Sequence, residues 1–170
     1  MTILITGKPG VGKTTLIQKV MQKVELSCQG FYTQEIRSTD SRLGFEIVTL
    51  DGKIALLAHV DHLTPYRLGK YFVNMNNINR VIVPCIENAI EQAELILIDE
   101  IGKMELLSAL FQKVVLKAVA SPKKVLGTIT MANLPIVKKI QSQPDVILVK
   151  LKSDNRTEIY HYILDLLVEK

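Results

Sequence analysis

The chain has 170 residues and a mass of 19.1 kDa, which predicts a single domain over residues 1–170. Its hydrophobic content of 48% and charged content of 22% exclude a disordered chain, and no apolar run approaches the roughly 18 residues that cross a bilayer. With only two cysteines, we expect a cytoplasmic protein, and we expect no membrane partner. The small net charge of +4 argues against extended contact with nucleic acid.

The first 58 residues alternate between short apolar strands and one amphipathic helix. The helix follows a glycine-rich loop, because apolar residues recur at helical spacing from Leu16 to Val24. Asp51-Gly52 is a strong two-residue hairpin signal, so residues 43–58 are expected to form an antiparallel ribbon. The strands of this part are predicted over residues 2–6, 31–37, 44–50 and 53–58.

The rest of the chain alternates between helices and buried strands. Residues 59–76 show no clear pattern, and Pro84 inside the helical stripe that follows predicts a kink or a late helix start. Residues 95–98 form a fully apolar strand that ends in Asp99-Glu100. This alternation predicts an α/β fold, with a mostly parallel sheet, helices on both faces and the ribbon at one edge. Further helices are predicted near residues 78–93, 106–119, 134–140 and 159–167, and further strands over 125–130 and 146–151.

Residues 7–14 match the phosphate-binding pattern G-x-x-x-x-G-K-[ST] at every fixed position. The glycines let the loop amides turn inward around phosphate oxygens, and the dipole of the following helix favours an anion. Lys13 would reach the β- and γ-phosphates, the Thr14 hydroxyl would bind Mg²⁺, and Thr15 would face the α-phosphate. The predicted nucleotide-binding loop consists of Gly7, Lys8, Pro9, Gly10, Val11, Gly12, Lys13, Thr14 and Thr15.

Two carboxylates follow the apolar strand at residues 95–98. In a phosphate-loop protein, an aspartate at such a strand end lies beside the Mg²⁺, so we expect Asp99 to hold the ion through water. Glu100 would orient and partly deprotonate a water in line with the γ-phosphate. A solvated turn is the alternative interpretation of this pair.

The long separation between Thr14 and Asp99 predicts an extra strand between the two motif strands. Residues 125–130 are expected to insert there, with the tip of the strand towards the γ-phosphate. Thr128 and Thr130 lie on one side of that strand, and either could sense the phosphate or position water. The predicted catalytic residues are Lys13, Glu100 and Thr128.

Several other segments match the signature sequences of one protein family. Residues 99–106 resemble D-E-I-G-K-M-E-L, and residues 30–37 resemble G-F-Y-T-E-E-[IV]-R with Gln34 in place of the first glutamate. These segments are similar to those of a small nucleoside-triphosphatase family, known from thermophilic microbes and, in animals, as the cancer-related nucleoside-triphosphatase. Further matches lie at residues 44–52, at residues 126–129 and at Asn155-Arg156.

The resemblance implies a RecA-like fold and slow, Mg²⁺-dependent hydrolysis of ATP, GTP, CTP and UTP to the diphosphate and phosphate. It also makes Arg37 and Arg156 candidates for nucleotide contacts, although the sequence alone favours Arg37 as an exposed residue at a strand end. Lys103 could approach the phosphates or be exposed. The substitution at Gln34 weakens any catalytic role for that side chain.

Two other functions stay open. A nucleotide kinase would share the phosphate loop, but it needs a second substrate pocket and usually several lid arginines, whereas the arginines here are scattered. A nucleotide-gated RNA- or protein-binding switch would also fit slow turnover. The sequence specifies neither the preferred base nor a protein partner.

Overall fold

This computed structural model describes residues 1–168. They form one mixed β-sheet with helices packed against its faces. The α-helices are α1 (Lys13–Met21), α2 (Met75–Asn77), α3 (Val83–Gln92), α4 (Ala109–Ala120), α5 (Pro135–Gln141) and α6 (Arg156–Val168), with a π-helical turn at Ile78–Ile82 and a 3₁₀ turn at Glu105–Leu107. The strands are β1 (Thr2–Thr6), β2 (Cys28–Arg37), β3 (Arg42–Thr49), β4 (Ile54–His59), β5 (Arg67–Leu68), β6 (Tyr71–Val73), β7 (Leu95–Ile101), β8 (Lys124–Ile129) and β9 (Val146–Lys150).

The strand order within the described residues is β5-β6-β4-β3-β2-β7-β8-β1-β9. The half from β2 to β9 is parallel, and β3, β4, β6 and β5 continue it as an antiparallel extension. The predicted α/β sheet with an antiparallel edge is thereby confirmed, as is the insertion of β8 between β1 and β7. The extension is wider than the predicted ribbon, because β5 and β6 arise from the segment without a clear pattern.

Both faces of the parallel half are covered, which explains the continuous apolar run in β7. Leu95 and Leu97 belong to the core under α1 and α6. Ile96 and Ile98 point the other way, into the core under α3 and α4. The alternation of the strand therefore divides one apolar sequence between two cores.

No helix within residues 1–168 combines the length and apolarity needed to cross a membrane. Pro84 lies in the first turn of α3, directly after the π-helical turn, so its missing N–H removes one backbone hydrogen bond from a continuous helical segment. The helical segment nevertheless begins earlier than predicted, because α2 and the π-helical turn lead into α3 without a break. The late start predicted at Pro84 therefore describes α3, but not the helical segment as a whole.

Candidate active site

The loop between β1 and α1 is built to surround an anion. Gly12 caps α1 with a φ of 99°, a left-handed conformation that favours glycine. Among the described residues no side chain caps this helix start, so its first N–H groups can face a ligand. Lys13 Nζ donates to the carbonyl oxygens of Gly7 at 3.0 Å and Lys8 at 3.3 Å, which hold the ammonium group over the loop.

Asp99 lies near the end of β7 with only 2% of its surface exposed. Its Oδ1 accepts a hydrogen bond from the Thr128 hydroxyl on β8 at 2.6 Å, while Oδ2 is buried with no hydrogen-bond partner among the described residues. Burial raises the pKa of the carboxyl, and Thr128, Thr14 and Lys13 oppose that rise. A buried carboxylate with one unpartnered oxygen, which also interacts with Thr14, fits a hydrated Mg²⁺.

Glu100 and Glu105 face one another across Gly102. A Cβ added to Gly102 would lie 2.5 Å from Glu105 Oε2 and 2.9 Å from Glu100 Oε1, so a larger residue there would displace the two carboxyl groups. Burial raises the pKa of Glu100, Lys13 opposes the rise and Asp99 adds to it. Burial, reinforced by Glu100, raises the pKa of Glu105 to about 8. At neutral pH, Glu105 is therefore largely protonated beside Glu100.

We expect Glu105→Gln to stabilise the protein increasingly as pH rises, because the amide keeps the carboxyl's shape and cannot ionise. The Glu105 pKa is 4.5 in the unfolded chain and about 8 in the folded one. Folded wild type therefore retains a proton that the unfolded chain loses, and its stability falls between these pH values. The variant's advantage in the free energy of unfolding should grow by about 4 kcal/mol across that interval.

Urea unfolding of both proteins at pH 4.5, 6 and 8 measures this difference. The exposed Glu87 on α3 supplies the matched control, Glu87→Gln. A pH-independent difference between Glu105→Gln and wild type would contradict the buried, protonated carboxyl.

A cleft of about 880 Å³ joins the phosphate loop to the antiparallel part of the sheet. It opens at the carboxyl ends of the parallel strands, where ligands of such folds bind. Glu100, Lys103 and Glu105 line it. Arg42 and Phe45, both from β3, line it from the antiparallel extension.

The structure brings the phosphate loop, Asp99 and Glu100 together, and it adds one of the two candidate arginines. The Arg156 guanidinium carbon lies 3.6 Å from where a Cβ on Gly12 would be, so this side chain packs against the loop. Arg37 is not among the described residues that line the cleft. Its side chain is 61% exposed, and its Nε lies 2.6 Å from Glu35 Oε2. Its predicted nucleotide contact has no support from this position.

Thr128 also differs from its predicted placement. It is fully buried, it is absent from the described cleft lining, and its hydroxyl donates to Asp99. Thr128 therefore orients a candidate metal ligand, and the neighbouring Thr130 is the threonine that reaches the cleft. The water-positioning role expected for Thr128 has no support from this geometry.

Sequence reasoning missed Glu105 and Arg42. Glu105 lies within the segment that carries the family resemblance, which was the only signal for it. Arg42 carried no signal, because it reaches the cleft only through the pairing of β3 with β2.

Comparisons with known proteins extend along the whole chain. A family model described as NTPase matches residues 2–164. Nucleoside-triphosphatase THEP1 of Thermotoga maritima is 46% identical over 167 residues, which cover 98% of this chain and 95% of that protein. The human Cancer-related nucleoside-triphosphatase is 35% identical, with 92% and 91% covered.

Two solved structures share the fold. The crystal structure of THEP1 from Aquifex aeolicus matches with a TM-score of 0.90 and 37% identity, covering 99% of this chain and 100% of that one. The solution structure of a human cancer-related nucleoside triphosphatase matches with a TM-score of 0.83 and 33% identity, covering 99% of each chain. The predicted family and fold are thereby confirmed, and the chain belongs to the NTPase family.

Proposed function

We propose that the protein hydrolyses nucleoside triphosphates to the diphosphate and phosphate, with Mg²⁺ bound at Thr14 and Asp99. The observation that carries this proposal is that one cleft contains the phosphate loop and Glu100, with the buried Asp99 beside them. The names of the full-length relatives support the same activity.

The phosphate loop would bind the triphosphate by its backbone. The N–H groups of the loop and of the first turn of α1 would surround the phosphate oxygens. Lys13 would exchange the carbonyl oxygens of Gly7 and Lys8 for β- and γ-phosphate oxygens. Arg156 adds a second positive charge beside the loop, and Thr15, which lines the cleft, would face the α-phosphate.

Thr14 and Asp99 are the residues that would hold Mg²⁺, Asp99 through a water on its unpartnered Oδ2. When bound, the ion would neutralise negative charge that develops on the phosphate oxygens. The hydrogen bond from Thr128 fixes the Asp99 carboxylate, so it would hold Oδ2 in one orientation when a metal ion binds. This arrangement is the reason for assigning Thr128 a positioning role.

Glu100 would accept the proton of the attacking water. The water oxygen forms a bond to the γ-phosphorus while the bond from that phosphorus to the β–γ bridging oxygen breaks. Burial raises the pKa of Glu100, which makes the carboxylate a stronger base than an exposed one. Glu105, largely protonated at neutral pH, limits the negative charge beside Glu100.

The substrate range we propose is ATP, GTP, CTP and UTP, because the loop amides, Lys13 and Arg156 would contact the phosphates rather than the base. These substrates fit a cytoplasmic enzyme. The test is phosphate release from each nucleotide with Mg²⁺ and with EDTA. We expect release from all four with Mg²⁺ and none with EDTA. Unchanged release in EDTA would overturn the metal assignment, and the absence of release from every nucleotide would overturn the function.

We also expect residues 37–58 to gain protection from hydrogen exchange when a non-hydrolysable nucleoside triphosphate and Mg²⁺ bind. Arg42 and Phe45 line the cleft that contains the phosphate loop, so the ribbon can cover the γ-phosphate and slow water and product exchange. Mass spectrometry of peptides from this segment measures the change. Exchange unaffected by nucleotide would leave the ribbon only the role of shielding the sheet edge.

A further inference from the structure

The cleft continues well past Glu100 on the side away from the phosphate loop. The strand order β1-β8-β7-β2-β3 places three strands between the loop and the ribbon, a width of about 19 Å at the usual strand spacing. Glu100 is the second-last residue of β7, the middle strand of this series. The part beyond it is here called the outer compartment. Its walls contain Tyr32, Thr33, Gln34, Glu35, Arg42, Phe45, Leu68 and Met104.

The walls of the outer compartment combine apolar surface with one ion pair. The Phe45 ring packs edge-on against Tyr71, with centroids 5.2 Å apart. The Arg42 guanidinium lies 5.3 Å from the Phe45 ring centre and pairs with Glu35 at 3.0 Å. Leu68 adds a half-buried aliphatic side chain. Thr33 and Gln34 add polar groups to the same wall. Aromatic and aliphatic side chains beside polar groups can bind a small organic molecule.

The outer compartment lies where a nucleophile must approach. The loop holds the α- and β-phosphates and directs the γ-phosphate towards Glu100, so the space past Glu100 is on the attacking side of the γ-phosphorus. A water molecule occupies only about 30 Å³ in the liquid. Hydrolysis alone requires neither the apolar wall nor the Arg42–Glu35 pair.

We propose that the outer compartment binds an organic alcohol with an unsaturated, apolar body, and that the enzyme transfers the γ-phosphoryl group to its hydroxyl oxygen in competition with water. The alcohol oxygen bonds to the γ-phosphorus, and its proton passes to Glu100. The bond between the γ-phosphorus and the β–γ bridging oxygen breaks, and the diphosphate leaves with that electron pair. The proposal rests on the triphosphate position given under the proposed function.

The test measures how the labelled γ-phosphoryl group divides between water and added alcohols. The enzyme is incubated with γ-³²P-labelled ATP, Mg²⁺ and equal concentrations of benzyl alcohol, uridine or glycerol, and phosphate monoesters are separated from inorganic phosphate. For benzyl alcohol or uridine, we expect the ratio of monoester to inorganic phosphate to exceed the molar ratio of that alcohol to water. This product ratio should also be at least about tenfold higher than the ratio with glycerol.

Two matched leucine variants link the products to the compartment. Leu68 lines it, whereas Leu63 is 77% exposed and lies outside the described lining. Leu68→Ala should lower the ratio of monoester to inorganic phosphate by about tenfold, and Leu63→Ala should leave it at the parent value. The ratio is internal to each reaction, so a loss of folded protein does not alter it.

The outcomes separate this inference from the proposed function. Release of inorganic phosphate without monoester from any alcohol would overturn the acceptor site and leave hydrolysis standing. An equal ratio in the two leucine variants would also overturn it. Formation of neither product would overturn both proposals.

Discussion

Lys13→Ala should remove most nucleotide affinity and most turnover together. The Lys13 ammonium offsets phosphate charge in the bound substrate and again in the transition state, where charge shifts towards the β–γ bridging oxygen. It is held over the loop by two carbonyl oxygens, so it needs little rearrangement to reach the phosphates. We expect kcat/KM to fall by at least about a hundredfold, measured by phosphate release, with affinity followed by a fluorescent nucleotide analogue.

Lys19→Ala is the matched control, because Lys19 is exposed in the last turn of the same helix. It should bind and hydrolyse nucleotide as the parent does. Near-normal turnover in a folded Lys13→Ala protein would contradict the assignment of residues 7–14 as the phosphate-binding loop.

Glu100→Gln should retain nucleotide binding while kcat falls by about 10²–10⁴-fold, the usual cost of removing a general base. The amide keeps the size of the carboxylate but cannot accept the proton. Thr14 and Asp99, the proposed Mg²⁺ residues, are untouched. Because burial raises the pKa of Glu100, wild-type kcat should decline on the acid side at a pH above 4.5, and the variant should lack that decline.

Glu87→Gln on the exposed face of α3 controls for the loss of a carboxylate as such. A parallel fall in binding and turnover in Glu100→Gln would make Glu100 a metal ligand or a structural residue. If neither quantity changed, the water would have another partner, and Thr130, the threonine that lines the cleft, would be the next residue to test.

The parallel half of the fold was predictable because its signals are local. The phosphate loop is fixed by the spacing of its glycines and Lys13, and β7 by four consecutive apolar residues before Asp99. The strands β5 and β6 were not predictable, because segments of two and three residues are too short to show a period. They form because β4 offers an open edge to β6.

The site residues were predictable only where one continuous segment of the sequence contains them. The hydrogen bond from Thr128 to Asp99 depends on the register of β8 against β7, in which Gly127 pairs with Ile98, and one sequence does not reveal a register. The burial of Glu105 depends on the 3₁₀ turn that follows Gly102. A prediction from sequence periodicity places a glutamate near a turn on the surface, since charged residues are rarely buried.

The place of β1 in the sheet has a consequence for synthesis of the chain. All five of its residues are buried, yet its neighbours, β8 and β9, begin only at Lys124 and Val146. At the usual rate of translation, roughly 6–25 seconds pass between the synthesis of β1 and the synthesis of β8. During that time an apolar strand lacks its native partners, the condition that favours aggregation and chaperone binding. The phosphate loop begins at the residue after β1, so it cannot reach its native setting until the last quarter of the chain has been made.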